Sequence, residues 1–195
     1  IHQNIIDTLK NIKKNKRITG GSSVHESDGF CAALPFFLYS KNFNKTKKII
    51  SIVCTSRISI KYALAKFRLL DFALSGKKDP INYFLRKYSK NYYFKDMVND
   101  IRKIKKQKLK PHSMMVKKLG ITCRYPGTFN SSIHAILKYK SYKRAVLSTI
   151  KAGGCNCSRA NFIGSYFAAL SGMHSIPKSW LSKCLYTKKI IKLGK

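Results

Sequence analysis

The residues best suited to chemistry lie in a glycine turn in the last third of the chain. Residues 153–158 read GGCNCS, so the thiols of Cys155 and Cys157 and the hydroxyl of Ser158 follow a Gly-Gly pair. A turn that leads into a helix has unpaired N–H groups and can hold a metal or an anion. Zinc takes four ligands, and this Cys-x-Cys pair has no second pair at ligand spacing. The sequence alone therefore favours buried packing of small side chains at this helix start.

Carboxylates are scarce, and residues 101–195 contain none. A hard cation such as magnesium prefers oxygen ligands, whereas the turn at 153–158 offers mainly thiols. Any mechanism that needs paired acids must therefore take them from the first hundred residues. The seven acidic residues are Asp7, Glu26, Asp28, Asp71, Asp79, Asp96 and Asp100.

A second segment, residues 19–28, reads TGGSSVHESD. Glycines and hydroxyls before a helix can cradle a phosphate through backbone N–H groups, and the charged residues add a possible acid, base or metal ligand. The alternative is a helix-to-helix turn that Ser27 or Asp28 caps, and the residue types alone favour this turn. The candidate ligand-binding residues of the segment are Ser22, Ser23, His25 and Glu26.

A third segment contains Pro126 and Gly127 ahead of a helix start rich in small residues. This loop is a candidate lining for a binding pocket, in which Arg124 would pair with a phosphate. His134 lies among isoleucines and leucine on the following helix. We expect His134 to be a hydrogen-bonded core residue rather than a ligand.

The formal net charge is +33, from 40 basic and 7 acidic residues. Such an excess attracts polyanions without regard to sequence, so non-specific polyanion binding is expected. The basic residues spread over nearly every segment, which favours codon composition over a selected binding face. The basic stretch 102–110 keeps open the alternative of a basic helical nucleic-acid-binding protein, although no recognition-helix or RNA-binding signature accompanies it.

The cysteine pattern and the apolar runs indicate a protein of the cell interior. Six cysteines match no small disulfide framework, and no signal peptide is visible, so we expect an intracellular, cytoplasmic location. The longest apolar run, 29–39, is too short to span a membrane. Because the chain starts at Ile1, we interpret it as a fragment of a longer domain. The oligomeric state stays open.

Helical spacing of apolar residues dominates the chain, and no alternating strand is convincing. The sequence predicts an all-α fold with about nine helices in a single domain, 1–195, that ends in a basic tail at 187–195. Asp79 followed by Pro80 predicts a helix start, and Ser141 predicts another. Residues 111–127 are predicted to be the longest irregular stretch. Further helices are predicted near 28–39, 46–56, 62–74, 94–104, 131–140, 141–152, 158–171 and 178–186.

Four segments, taken in this order, resemble the ADP-ribosylglycohydrolase family, in the branch related to the jellyfish J crystallins. They are residues 19–28 (TGGSSVHESD), 126–135 (PGTFNSSIHA), 152–164 (AGGCNCSRANFIG) and 175–180 (SIPKSW). The similarity runs from about residue 1 to 193 and corresponds to the C-terminal part of the family's domain. It implies a multi-helix bundle and an ADP-ribose-like ligand.

The resemblance also implies a cofactor, because members of this family use two magnesium ions to hydrolyse ADP-ribosyl glycosidic bonds. The family's metal positions fall on Cys155, Cys157 and Ser158, of which only Ser158 has an oxygen. A second metal segment aligns near residues 54–59, where no acid is present and Arg57 would repel a dication. We therefore expect magnesium binding and hydrolysis to be lost, which would make the chain a pseudoenzyme that retains at most ligand binding.

Overall fold

The computed structural model describes residues 2–193, which form an all-α fold without a strand, as predicted, but with twelve α-helices instead of about nine. Ile1 and the last two residues of the predicted basic tail, Gly194 and Lys195, lie outside this range. The helices are α1 (Gln3–Lys13), α2 (Asp28–Ser40), α3 (Phe43–Val53), α4 (Arg57–Leu74), α5 (Pro80–Lys87), α6 (Lys95–Lys105), α7 (His112–Leu119), α8 (Gly127–Lys138), α9 (Tyr142–Lys151), α10 (Asn156–Ser171), α11 (Lys178–Lys183) and α12 (Thr187–Leu193). Within the described range, every helix is too short or too polar to cross a bilayer.

Helix α4 organises one half of the core, because it packs against α2, α3, α5 and α10. Its Phe67 ring lies 4.7 Å from the rings of both Phe30 and Phe37, centroid to centroid. Aromatic pairs at this separation add to the free energy gained by burying their area. The contacts fix α2 over α4, and α2 begins at the candidate segment 19–28.

Helix α8 organises the other half and is buried along almost its whole length. It packs against α6, α7, α9 and α10. The hydroxyls of Ser131 and Ser132 donate to backbone carbonyls one turn earlier, at 2.8 and 2.7 Å. These bonds pair the hydroxyls of the two buried serines within the helix, so the helix can pass close to its neighbours at these positions.

Two predicted helix starts are confirmed by their capping bonds. Asp79 Oδ1 accepts from the N–H of Asn82 at 3.0 Å, with Pro80 as the first helical residue. Ser141 Oγ accepts from the N–H of Arg144 at 3.4 Å. Each cap satisfies an N–H group that the helix itself cannot pair.

The prediction of an irregular stretch at 111–127 was wrong, because α7 (His112–Leu119) forms inside it. Its buried side chains are His112, Met115 and Val116, a set too short to produce a clear helical period in the sequence. Packing against α8 and α9 supplies the stability that this short helix lacks alone. The helix predicted at 178–186 ends early, at Lys183, and α12 forms within the predicted basic tail.

His134 is buried and hydrogen-bonded, which confirms its prediction as a core residue. Its Nε2 lies 3.2 Å from the carbonyl of Gln107, so this nitrogen carries the proton. Its unprotonated Nδ1 then accepts from His112 Nδ1 at 3.1 Å, and Thr149 Oγ1 donates to His112 Nε2 at 3.1 Å. Burial is the main reason that the pKa of His112 falls to about 4, so both imidazoles are neutral at pH 7.

Candidate functional site

Backbone hydrogen bonds bring four separate segments together at one place. The N–H of Tyr125 donates to the carbonyl of His25 at 2.6 Å, which joins the loop before α8 to the loop before α2. The N–H of Cys155 donates to the carbonyl of Ile121 at 2.7 Å, and this bond adds the turn before α10. The N–H of Thr55 donates to the carbonyl of Gly21 at 2.9 Å, which adds the segment before α4. Three of these segments carry the motifs singled out in the sequence.

Glycine makes this convergence possible at Gly20 and Gly154. A Cβ atom on Gly20 would lie 2.3 Å from the carbonyl oxygen of Ser51. A Cβ atom on Gly154 would lie 2.3 Å from the carbonyl oxygen of Ile121, and Gly154 also has a φ of +68°. Backbone segments can approach this closely only where no side chain intervenes, so the glycines of both motifs are explained by packing.

The predicted ligand-binding residues of segment 19–28 divide between surface and interior. Ser22 and Ser23 are exposed, and the Ser23 hydroxyl donates to Asp7. His25 is exposed, with its Nδ1 2.6 Å from Ser56 Oγ. Glu26 is buried and pairs with the backbone at Arg124 in an isolated β-bridge. The segment therefore combines an exposed polar surface with an acid that points into the protein.

The loop that contains Pro126 and Gly127 lies directly beside this segment. Pro126 and Arg124 are exposed, whereas Gly127 is buried against the carbonyl of Leu119. Arg124 and His25 are thus brought to neighbouring surface positions by the bond between Tyr125 and His25. We call the exposed residues of these two adjoining segments, Ser22, Ser23, His25, Arg124 and Pro126, the ligand face.

The thiols of the 153–158 turn are accessible, which contradicts the prediction of buried packing. Cys157 is exposed and Cys155 is half-buried. Cys155 Sγ lies 3.6 Å from Cys157 Sγ and 3.1 Å from Ser158 Oγ. Burial opposes ionisation of Cys155, but hydrogen bonds from Ser158 and Cys157 and the charge of His2 outweigh it and lower the pKa of this thiol.

The cluster also contains His2, Asp28 and Cys123, which the sequence did not place at this turn. His2 Nε2 lies 3.9 Å from Cys155 Sγ, and His2 Nδ1 is hydrogen-bonded to Asp28 Oδ1. One ligand atom each from His2, Cys123 and Cys155 lie within 4.8 Å of one another. No sequence signal links these residues, since 120 positions or more separate His2 from the two cysteines.

The two carboxylates near the turn are largely used within the protein. Glu26 Oε2 accepts from the N–H of Asn4 at 3.1 Å, and Glu26 Oε1 accepts from the thiol of Cys123 at 3.4 Å. Asp28 Oδ1 is paired with His2, while its Oδ2 is buried without a partner among the described residues. Burial raises the pKa of Asp28, and the bond with His2 opposes the rise.

Two buried cations lie beside this cluster. Lys66 is fully buried on α4, and its Nζ lies 4.9 Å from the ring centroid of Phe30 and 5.0 Å from that of Tyr125. Desolvation lowers the pKa of Lys66 to about 8, and the charges of Cys31 and Cys155 oppose the shift. Arg159 is also buried, and its Nη2 donates to the carbonyl of Gly153 and to Asn156 Oδ1. Arg159 thereby fixes the shape of the cysteine turn.

The second predicted metal segment, near residues 54–59, offers no carboxylate to the cluster. Cys54 is buried, and its sulfur accepts from Asn4 Nδ2 at 3.4 Å. Arg57 is exposed at the start of α4. These residues supply a thiol and a cation where an oxygen-rich site would need acids.

The donor atoms of this cluster do not fit a pair of magnesium ions. Magnesium requires near-octahedral oxygen coordination at about 2.0–2.1 Å. The turn offers two sulfurs and one hydroxyl, and three of the four oxygens of Glu26 and Asp28 already accept hydrogen bonds. Lys66 adds an ammonium group to the surroundings of Cys155. The donor atoms of this cluster are instead mainly the sulfurs of the cysteines and the nitrogen of His2.

Comparisons with known proteins agree with this architecture. Crystallin J1A of Tripedalia cystophora is 25% identical over 186 residues, which cover 88% of this chain and 54% of that protein. Crystallin J1B of the same organism is 29% identical over 76 residues, which cover 39% of this chain and 24% of that protein. The chain thus spans about half the length of the first relative and a quarter of the second.

A solved structure described as an ADP-ribosylglycohydrolase-related protein complex superposes with a TM-score of 0.74 at 15% identity. The match covers 98% of this chain and 66% of that one, and at this identity it establishes the fold alone. The sequence model of the ADP-ribosylglycohydrolase family matches residues 17–195, which is most of the chain. The protein therefore belongs to the ADP-ribosylglycohydrolase family.

Proposed function

We propose that this chain binds an ADP-ribose-like nucleoside diphosphate at the ligand face and does not use magnesium to hydrolyse ADP-ribosyl glycosidic bonds. One observation carries the proposal: the motifs that resemble the family converge at a turn whose side chains offer two thiols and one hydroxyl. The convergence supports a retained ligand surface. The replacement of oxygen by sulfur supports the loss of the reaction.

Loss of hydrolysis follows from the chemistry of the donor atoms. Paired magnesium ions would polarise the glycosidic region and activate water, and both roles need anionic oxygen ligands to hold the ions. Cys155 and Cys157 provide soft ligands, and Ser158 is the single oxygen of the turn. The positive charge of Lys66 would repel a dication at Cys155.

Retention of binding follows from charges and hydrogen-bonding groups that need no metal. Arg124 can form charge-assisted hydrogen bonds with a phosphate, and Ser22, Ser23 and His25 add polar groups nearby. The net charge of +33 also attracts a diphosphate at long range. Attraction of a diphosphate gives the positive surface a function without nucleic-acid binding. An intracellular location is part of the proposal and is expected from the free cysteines.

Calorimetric titration with ADP-ribose at moderate salt tests this proposal. We expect saturable binding with the same dissociation constant in magnesium and in EDTA. Arg124→Ala should weaken binding about 10- to 100-fold, because it removes a charge-assisted hydrogen bond worth about 1.5–3 kcal/mol. Arg86→Ala is the matched control, since Arg86 is an exposed arginine on α5, which packs against α4 and α6.

Two results would contradict the proposed binding. Heat that disappears on raising the salt concentration would indicate charge attraction without a site. Equal losses in Arg124→Ala and Arg86→Ala would indicate that the ligand face has no special part in binding.

A further inference from the structure

We infer that the cysteine turn is part of a zinc site formed by His2, Cys123, Cys155 and Cys157. Three thiolates and one imidazole are a common ligand set for structural zinc. The Cys-x-Cys pair alone lacked two ligands, and folding supplies them from the start of α1 and from the loop before α8. This site does not depend on the proposed ADP-ribose binding.

Three of the four ligand atoms lie near the spacing of a tetrahedral zinc site, and the fourth, Cys157 Sγ, lies near Cys155 alone. Zinc–sulfur bonds of about 2.3 Å and zinc–nitrogen bonds of about 2.0–2.1 Å place two sulfurs about 3.8 Å apart and a sulfur and nitrogen about 3.6 Å apart. Cys155 Sγ lies 3.6 Å from Cys157 Sγ and 3.9 Å from His2 Nε2. Cys123 Sγ lies within 4.8 Å of the ligand atoms of His2 and Cys155. Closing the site requires the exposed Cys157 side chain to turn towards His2 and Cys123.

The imidazole of His2 is already oriented for metal binding. Its Nδ1 is hydrogen-bonded to Asp28 Oδ1, so Nδ1 carries the proton and the lone pair of Nε2 is directed towards the cysteines. A carboxylate that orients a ligating histidine in this way is a usual partner in zinc sites. Asp28 is therefore a positioning residue.

Zinc binding requires Cys123 to give up its hydrogen bond to Glu26 Oε1, and two buried cations offset the negative charge of the site. Three thiolates and a dication carry a net charge of −1, after each thiol has released its proton to solvent. Lys66 and Arg159 are both buried and close enough for the charge of Cys155 to act on them. The Ser158 hydroxyl, 3.1 Å from Cys155 Sγ, can donate to that thiolate.

Cobalt titration of the reduced, metal-free full chain tests the inference. We expect one equivalent of Co²⁺ to produce sulfur-to-cobalt charge-transfer bands and strong visible bands typical of tetrahedral coordination. Addition of Zn²⁺ should displace the cobalt and abolish these bands. X-ray absorption of the zinc form should then show three sulfur neighbours and one nitrogen neighbour.

Variants separate this site from adventitious binding to free thiols. Cys155→Ser and Cys157→Ser should each bind cobalt roughly 100-fold or more weakly, and Asp28→Asn about 10- to 100-fold more weakly, as for other orienting partners. Cys184→Ser is the matched control, because Cys184 is an exposed cysteine at the end of α11. The Cys157 side chain is exposed, so its replacement should leave the far-ultraviolet circular dichroism unchanged.

Three results would overturn the zinc site. The first is weak absorption of octahedral type in the wild-type protein. The second is a folded Cys157→Ser variant that binds cobalt with the wild-type affinity and the same bands. The third is loss of binding in Cys184→Ser, which would place the metal at an unrelated thiol.

Discussion

Replacement of Lys66 by methionine is expected to raise the free energy of unfolding of the metal-free protein by about 2 kcal/mol at pH 7. The pKa of Lys66 is lowered from 10.5 to about 8 by burial, and each unit corresponds to about 1.4 kcal/mol. Contacts with the rings of Phe30, Tyr125 and Phe162 recover part of this cost, because they favour the charged form. Methionine fits a similar space, has no charge to desolvate and makes favourable sulfur–aromatic contacts.

The gain should depend on pH in a defined direction. The folded protein releases the Lys66 proton more readily than the unfolded chain, so the wild type regains stability as pH rises from about 8 towards 10.5. The advantage of Lys66→Met should therefore be largest below pH 8 and should fall by roughly half at pH 9.5. Urea unfolding of both proteins from pH 6.5 to 9.5 measures this difference.

Lys61→Met on the same helix is the matched control. Lys61 lies over the ring of Tyr93 at 5.3 Å but retains contact with solvent. Its replacement should change stability by no more than about 0.5 kcal/mol at any pH in this range. A destabilised Lys66→Met protein would show that the ammonium makes interactions that outweigh its desolvation.

Replacement of Gly154 by alanine should destabilise the protein by about 3 kcal/mol or more. The new Cβ atom would lie 2.3 Å from the carbonyl oxygen of Ile121, and the φ of +68° is itself unfavourable for alanine. The hydrogen bond from the N–H of Cys155 to this same carbonyl would be stretched or broken. We therefore expect a lower melting temperature and a displaced cysteine turn.

The variant Gly153→Ala separates the cost of backbone strain from the cost of the steric clash with Ile121. Gly153 has a φ of +75°, and a Cβ atom at this position would meet no heavy atom of the described residues within 4 Å. Its substitution should cost only the left-handed conformation, about 1 kcal/mol. Equal losses of stability in the two variants would show that the contact between residues 121 and 154 does not hold the turn.

Much of the fold was predictable because local signals and burial agree. The caps at Asp79 and Ser141 and the apolar face of α4 lie where propensity and packing favour the same structure. Helix α7 was not predicted because its stability comes from contacts with α8 and α9, which no local pattern records. The single-domain assignment and the assignment of 187–195 as a basic tail stay predictions.

The candidate site was only half predictable for a similar reason. The glycine turns and the cysteine pair could be recognised by residue type and spacing. His2 and Cys123 gave no such signal, because a ligand set assembled from distant positions has no spacing to recognise. Lys66 was also missed, since a lysine within a helical apolar pattern is normally expected at the surface.

The proposed loss of hydrolysis rests on sulfur and nitrogen donors at a turn where this family's chemistry would need anionic oxygen. The most direct measurement is the release of free ADP-ribose from an ADP-ribosylated arginine or serine substrate, followed with and without added magnesium. We expect the purified chain to release no more ADP-ribose in magnesium than in EDTA. Magnesium-stimulated release that scales with protein concentration would contradict the account.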